Sequence, residues 1–294
     1  MGRMDFYIVD VFSQGKYTGN QLTVFVDAHQ ISSKEMQLIA KEINYAETTF
    51  ILSKEQRNGG YDVRIFTPNE EIPFAGHPAL GTAFVLKEAI LQNDTLENIL
   101  LHFQGGSVEV TFHDEENVLW MHQNEPKFGG ELNRDMIAEV LNIDISQIDL
   151  RYPIQEVSTG LPVILVPLKS LAAVKEVQIN KEKYFQLIEK IEPKGIMVFS
   201  SETYEEVNDL NVRDFAEYYG IPEDAGTGSS NGCLAAYLIK HRYFDKKKIN
   251  LRVEQGYEIN RSSLLYIRAE EKEDVIEVFV GGEVTSIAKG TWNV

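Results

Sequence analysis

Apolar residues recur with a two-residue period, or run together as short β-branched stretches, at 4–11, 22–26, 46–52, 61–66, 98–103, 107–112 and 117–122. These segments are predicted strands. SSKEMQLIAKEIN (32–44) carries the helical period instead: Met36, Ile39 and Ile43 fall on one stripe. Ser32, with Glu35 three residues on, has the form of a capping box. A second helix is predicted over 78–91, directly after the glycine-rich PFAGHPALGTA (73–83). The polar stretch HQNEPKFGGELNRD (122–135), with Pro126, Gly129 and Gly130, reads as a linker. Beyond it the order recurs: a helix at 134–142, strands at 154–158 and 161–167, a helix at 180–191, and strands at 195–199 and 206–213. A second glycine turn, EDAGTGSSNGCLAAYLI (223–239), opens a helix to about 241, and strands at 249–254, 263–269 and 274–281 follow.

Each half therefore holds several strands, a few helices and one glycine turn opening a helix. That is a weak duplication at half-chain period, too long for a solenoid. The 294 residues suit two medium domains better than one core. The expected division is an N-terminal lobe at 1–125 and a C-terminal lobe at 126–294, with the final strand able to return to the first lobe. Strands and helices do not alternate regularly, so segregated α+β lobes are expected rather than a doubly wound sheet.

Composition adds constraints. With 43% hydrophobic and 25% charged residues, the chain can bury a real core. No charged-then-apolar start resembles a signal peptide, and the longest apolar runs, such as LPVILVPL (161–168), are too short to span a bilayer. A soluble, cytoplasmic protein is the expectation. The net charge of −17 argues against nucleic acid and anionic membranes as partners, and the three lysines at 246–248 do not change this. The same charge means that an anionic substrate would need local dipoles to overcome the global field. The single cysteine, Cys233, sits in an apolar run and excludes both an internal disulfide and a two-thiol mechanism. His113 and His122 flank DEEN without ligand spacing, so no metal is expected.

The two glycine turns bear on that electrostatic problem. The first N–H groups of a helix lack internal partners and carry partial positive charge, and glycines let a ligand come close. Such a turn suits a carboxylate or phosphate, although tight-turn duty alone would also explain it. Two turns in corresponding places are better explained by one site between the halves. His77, in the first turn, is either a hydrogen-bonded structural residue or a site residue; its position favours the neutral imidazole. Asp224 opens the second turn as a cap, an Asx-turn or a functional carboxylate. Thr227, Gly228 and Ser229 would offer hydroxyl and backbone donors to an oxyanion. Glu47, in NYAETTFIL (44–52), reads either as a solvent-facing glutamate or as a proton-transfer carboxyl in an apolar setting.

YTGNQLTVF (17–25), NYAETTFI (44–51), RIFTPNEEIPFAGHPALGTA (64–83), STGLPVILVPL (158–168), EDAGTGSSNG (223–232), EQG (254–256) and VGGEV (280–284) together resemble the phenazine-biosynthesis PhzF-like family, relatives of diaminopimelate epimerase. The resemblance implies two similar lobes, each a mainly antiparallel sheet rolled around a central helix, with the active site in the cleft between them. It implies cofactor-independent proton transfer and usually a homodimer. Glu47 matches the family's acid/base; His77 and Asp224 match groups that assist proton movement and hold substrate. Gly76, Gly228 and Ser229 match binding positions in the loops, and Asn20 matches a polar residue near the pocket. The sequence departs from the family at Gln21-Leu22-Thr23, where proline and small residues are usual, and at Asn260, often glycine. The epimerase relatives' two cysteines align with Ala75 and Ala225, which cannot transfer protons. The implied function is an isomerase moving a proton within a small, unsaturated, carboxylate-bearing substrate, similar to dihydro-hydroxyanthranilate isomerase. The alternatives are an amino-acid-type epimerase with Glu47 and His77 on opposite faces, or a silent ligand-binding protein.

Overall fold

A computed structural model of the chain describes residues 2–113, 117–273 and 275–294. Most of the DEEN stretch beside His113 lies outside the described residues. The chain forms two compact units, Met1–His122 with Gly281–Val294, and Gln123–Val280. Both are α+β.

The first unit contains β1 (Arg3–Val11), β2 (Asn20–Val26), α1 (Ser33–Ile43), β3 (Glu47–Ile51), β4 (Tyr61–Phe66), β5 (Glu71–Ile72), α2 (Gly76–Val85), β6 (Asn98–Phe103), β7 (Gly106–His113) and β8 (Val118–His122). The C-terminal strand Val284–Asn293 returns to pair antiparallel with β1, opposing Phe6 to Gly290. From it the sheet runs through β1, β2, β3, β4, β6 and β7 to β8. The pairs β2–β3 and β4–β6 are parallel and the others antiparallel. Strands at both ends of this order touch α2, so the sheet wraps around it. All of α2 except Phe84 is buried, which matches a sequence that is apolar or small on every side. Against the other face lies α1, whose Met36, Ile39 and Ala40 pack on Phe25, Phe50 and Phe66. Ser32 caps α1 by accepting the Glu35 N–H at 3.2 Å. The helix expected over 78–91 is α-helical to Val85 and continues as a π-helical turn over Leu86–Leu91, which Gln92 ends in the left-handed region at φ 50°.

The second unit contains β9 (Lys127–Glu131), α3 (Arg134–Leu141), β10 (Gln155–Ser158), β11 (Pro162–Pro167), α4 (Leu171–Glu176), α5 (Lys181–Ile188), β12 (Gly195–Ser200), β13 (Leu210–Ala216), β14 (Ile221–Asp224), α6 (Gly228–Lys240), β15 (Lys248–Gln255), β16 (Ser263–Lys272) and β17 (Val275–Gly282). Its central helix is α6, buried along nearly its whole length and touching β10, β11, β15 and β16. α3, α4 and α5 cover the opposite face through a core including Ile137, Val174, Tyr184 and Ile196.

The duplication is visible in the connections. β4 leads through the two-residue β5, which pairs back on it, into α2 and then to β6, parallel to β4. β13 leads through the short β14, which pairs back on it, into α6 and then to β15, parallel to β13. The two glycine turns occupy the same place in this repeated unit.

Two expectations are corrected. The stretch expected to be a linker, 122–135, contains β9, which pairs antiparallel with β10. Gly129 reads as a breaker in sequence, yet a Cβ there would sit 2.7 Å from the Glu156 carboxyl carbon. The glycine leaves room for the Glu156 side chain to lie across β9. The strand expected at 206–213 begins only at Leu210, because Glu254 folds the preceding segment into a turn. This carboxylate is fully buried and accepts hydrogen bonds from the N–H groups of Tyr204 and Glu205, both at 2.8 Å, and from the side-chain amides of Asn208 (2.8 Å) and Asn211 (3.1 Å).

Four donors converge on one side chain, and Glu254→Ala leaves the buried amides of Asn208 and Asn211 unpaired at about 1–3 kcal/mol each. The expected outcome is a loss of at least ~3 kcal/mol, read as a lower urea midpoint. At Gly81 in α2 a Cβ would lie 2.6 Å from Leu22 and 2.9 Å from Val11 side-chain carbons. Gly81→Val is expected to cost about 1–3 kcal/mol or more by overpacking, measured the same way.

Candidate active site

In the first unit the predicted residues lie at three element ends. Asn20 starts β2, Glu47 starts β3, and Gly76 and His77 are the first two residues of α2. β2 and β3 run parallel with Leu22 beside Glu47. The side chains of Glu47 and His77 are 13% and 6% exposed, and Glu47 Oε2 lies 3.4 Å from His77 Nε2. Asn20 Nδ2 lies 3.5 Å from His77 Nδ1. An amide N–H directed at Nδ1 makes that nitrogen the acceptor, which leaves the ring proton on Nε2, toward Glu47. Behind them the Thr49 and Thr82 hydroxyls, 3.0 Å apart and buried, tie β3 to α2. The turn before Asn20 is pinned by Asp10, whose carboxylate accepts the Tyr17 N–H at 2.9 Å. Gly19 is needed there: its φ is +80°, and a Cβ would lie 2.4 Å from the Val11 carbonyl.

The second unit gathers the other predicted residues. Asp224 ends β14, Thr227 precedes α6, and Gly228 and Ser229 open it. The Thr227 hydroxyl donates to Asp224 Oδ2 at 2.5 Å. Gln255 organises this loop: its Oε1 accepts the Thr227 N–H at 3.1 Å and an Asn231 amide proton at 3.0 Å. Its Nε2 donates to the Asp224 carbonyl (3.0 Å) and the Thr227 hydroxyl (2.9 Å). Gln255 and Asn231 carried no site role in the sequence reading, although both lie inside motifs it quotes, EQG (254–256) and EDAGTGSSNG (223–232). Gly256 follows at φ +79°, where a Cβ would meet the Arg261 and Ala225 carbonyl oxygens at 2.4 and 2.7 Å. Asn260 lies at φ 56°, a left-handed position that asparagine, like glycine, tolerates.

The helix starts differ in one respect. Among the described residues, α1, α3, α4 and α5 are each N-capped by a side chain, from Ser32, Asn133, Ser170 and Asn180. α2 and α6 are not: Ala75 has no capping group, and Thr227 spends its hydroxyl on Asp224. A helix start without a side-chain cap keeps its amide donors and positive potential for another acceptor. Cys233 is buried in α6, with its sulfur 3.6 Å from the Thr159 hydroxyl. Burial pushes its thiol up to about 11, which makes it inert. No helix among the described residues is long and apolar enough to cross a membrane.

Comparison with known proteins agrees with this architecture. The chain is 32% identical over 295 residues to the trans-2,3-dihydro-3-hydroxyanthranilate isomerase of Pseudomonas chlororaphis, covering 97% of this chain and 98% of that one. A PhzF-family phenazine biosynthesis protein from Bacillus anthracis superposes with a TM-score of 0.91 at 24% identity, over the full length of both chains. A hydroxyproline epimerase from Agrobacterium vitis shares the fold alone: the TM-score is 0.63 at 9% identity, over 98% of this chain and 92% of that one. The model of the phenazine biosynthesis-like proteins matches residues 9–290, and with that span and these relatives the chain belongs to the PhzF family of isomerases.

Proposed function

We propose that this isomerase moves a proton between two carbons of a small unsaturated carboxylate, with Glu47 as the single acid/base. The carrying observation is the buried Glu47–His77 contact at the start of a helix that no side chain caps. Glu47, ionised, takes a proton from a carbon next to an unsaturated or carbonyl group. The electron pair left behind moves into the conjugated system as the double bond shifts. Glu47, now neutral, returns the same proton to a second carbon, so the substrate is isomerised with no net change in protons. His77 Nε2–H steadies the carboxylate in the first step and its proton transfer in the second.

The second group is assigned to substrate holding. Asp224, Thr227, Gly228 and Ser229 bind the polar substituents, with the uncapped amides of α6 and the Ser229 hydroxyl taking the carboxylate. This supplies local positive potential in a chain of net charge −17. The relative's substrate, trans-2,3-dihydro-3-hydroxyanthranilate, is the first compound to try. The epimerase alternative fits the geometry less well. Two groups working on opposite faces must each stand about 3.5 Å from the carbon between them, whereas Glu47 and His77 are themselves 3.4 Å apart.

The test follows that substrate and related dienyl carboxylates by NMR in D2O. Wild type is expected to shift the double bond, and Glu47→Gln to lose ~10²–10⁴-fold in kcat, the range for removing a general acid/base. Full activity in Glu47→Gln would dismiss the assignment, and inversion of configuration without a double-bond shift would install the epimerase reading. Ser229→Ala and Thr227→Val are expected to raise KM about tenfold, or ~1.4 kcal/mol, with a smaller change in kcat.

A further inference from the structure

β13 and β14 set two carboxyls against each other. In their antiparallel pairing Asp214 stands opposite Asp224, and opposed residues project to one face with Cβ atoms about 4.5–5.5 Å apart. Asp214 is 2% exposed, and its Oδ2 has no hydrogen-bond partner among the described residues. Leaving a neutral carboxyl oxygen unpaired costs far less than leaving a charged one so. Two neighbouring carboxyls in such a setting do not both ionise.

The groups facing Asp214 come from three elements. On β14 they are Asp224 and Glu223, both acids. On α6 they are the Ser230 hydroxyl, hydrogen-bonded to Asp214, and the buried Cys233 thiol. On α5 it is the Tyr184 phenol, which donates to the Lys194 carbonyl. Arg213, the adjacent residue on β13, serves other partners: its guanidinium binds Glu223 and the Val174 and Val177 carbonyls. Burial first, then the two acids, push Asp214 up to about 7.

We propose that Asp214 is a positioning residue that keeps a proton up to near neutrality, beside the Asp224 carboxyl that accepts from the Thr227 hydroxyl. Ser230 is the third residue of α6. When Asp214 loses its proton, a second negative charge lies against the first turn of that helix and opposes its positive end. Binding of a carboxylate at the second loop then weakens as pH rises through neutrality. This kinetic consequence rests on the function proposed above; the location of the proton does not.

The test therefore begins without substrate. An unfolded aspartate titrates near 3.8, so between that value and about 7 the native protein binds a proton that the unfolded chain does not. Asp214 thus contributes stability that is full below that window and lost as pH rises through it. Asp214→Asn preserves a polar contact for Ser230 and cannot ionise. Relative to wild type it is expected to gain thermal stability progressively from about pH 4 to about pH 7 and to hold that gain above. In infrared difference spectra, the protonated-carboxyl band that wild type loses near neutrality should be missing from Asp214→Asn. In Asp224→Asn it should persist, with its midpoint moved to lower pH. A wild-type band that survives Asp214→Asn, or a pH profile of stability identical to wild type, overturns the proposal. Should Asp214→Asn not fold, an unmoved midpoint in Asp224→Asn overturns it equally. With the isomerisation substrate, wild-type KM should rise above neutrality while that of Asp214→Asn stays level. Level KM in both, with the band behaving as expected, refutes anion binding at α6 and leaves the proton on Asp214.

Discussion

A helix without a polar face has to be enclosed. α2 and α6 are built mostly from small and aliphatic residues, and burying them on all sides asks more than one flat sheet can give. Each unit answers by curling its sheet around the helix, and strands far apart in the order reach the same rod. The close approach needs small residues: Gly81 lies against Leu22 and Val11, and Gly232 against Gln123. Remaining surface on the sheets is then free to take amphipathic helices, α1 in one unit and α3 to α5 in the other.

Enclosure also fixes where chemistry can occur. A buried rod offers only its ends, and at the N-terminal end the backbone supplies amide donors and positive potential together. In α2 that end carries His77 against Glu47; in α6 it carries Ser229 and Ser230, with Asp224 just before. Both starts lack a side-chain cap while the peripheral helices have one. A capping serine or aspartate is worth about 1 kcal/mol to a helix. Forgoing it at these two positions is what the proposed anion binding calls for, in a chain of net charge −17.

Much of this was legible in sequence. Strands such as Tyr61–Phe66 and Asn98–Phe103 sit where alternation predicted them, because each has one face on a core, which imposes the period of two. What escaped has physical causes. β5 and β14 are two and four residues long, too short to carry a period, and yet they turn each chain segment into its central helix. β9 was hidden by Gly129 and Gly130, which sit within an extended strand rather than in a turn. The late start of β13 depends on Glu254, forty-odd residues downstream, which no local window contains. Loop motifs pointed to Glu47, His77 and Asp224 as candidates. Asp214, and the role of Gln255 within its EQG motif, were not legible because their meaning lies in which strand or helix they face.

The strand at Val284–Asn293 closes against β1 and belongs to the first unit, although the whole of Gln123–Val280 precedes it in the chain. During synthesis, the second unit's residues have therefore all been made before β1 can acquire this neighbour. Until then β1 keeps one edge open beside a partly covered α2, a strand edge able to template pairing with another chain. The unit bearing Glu47 and His77 is thus the earlier one to be translated and the later one to be sealed. Order of assembly is set here by topology rather than by position along the gene.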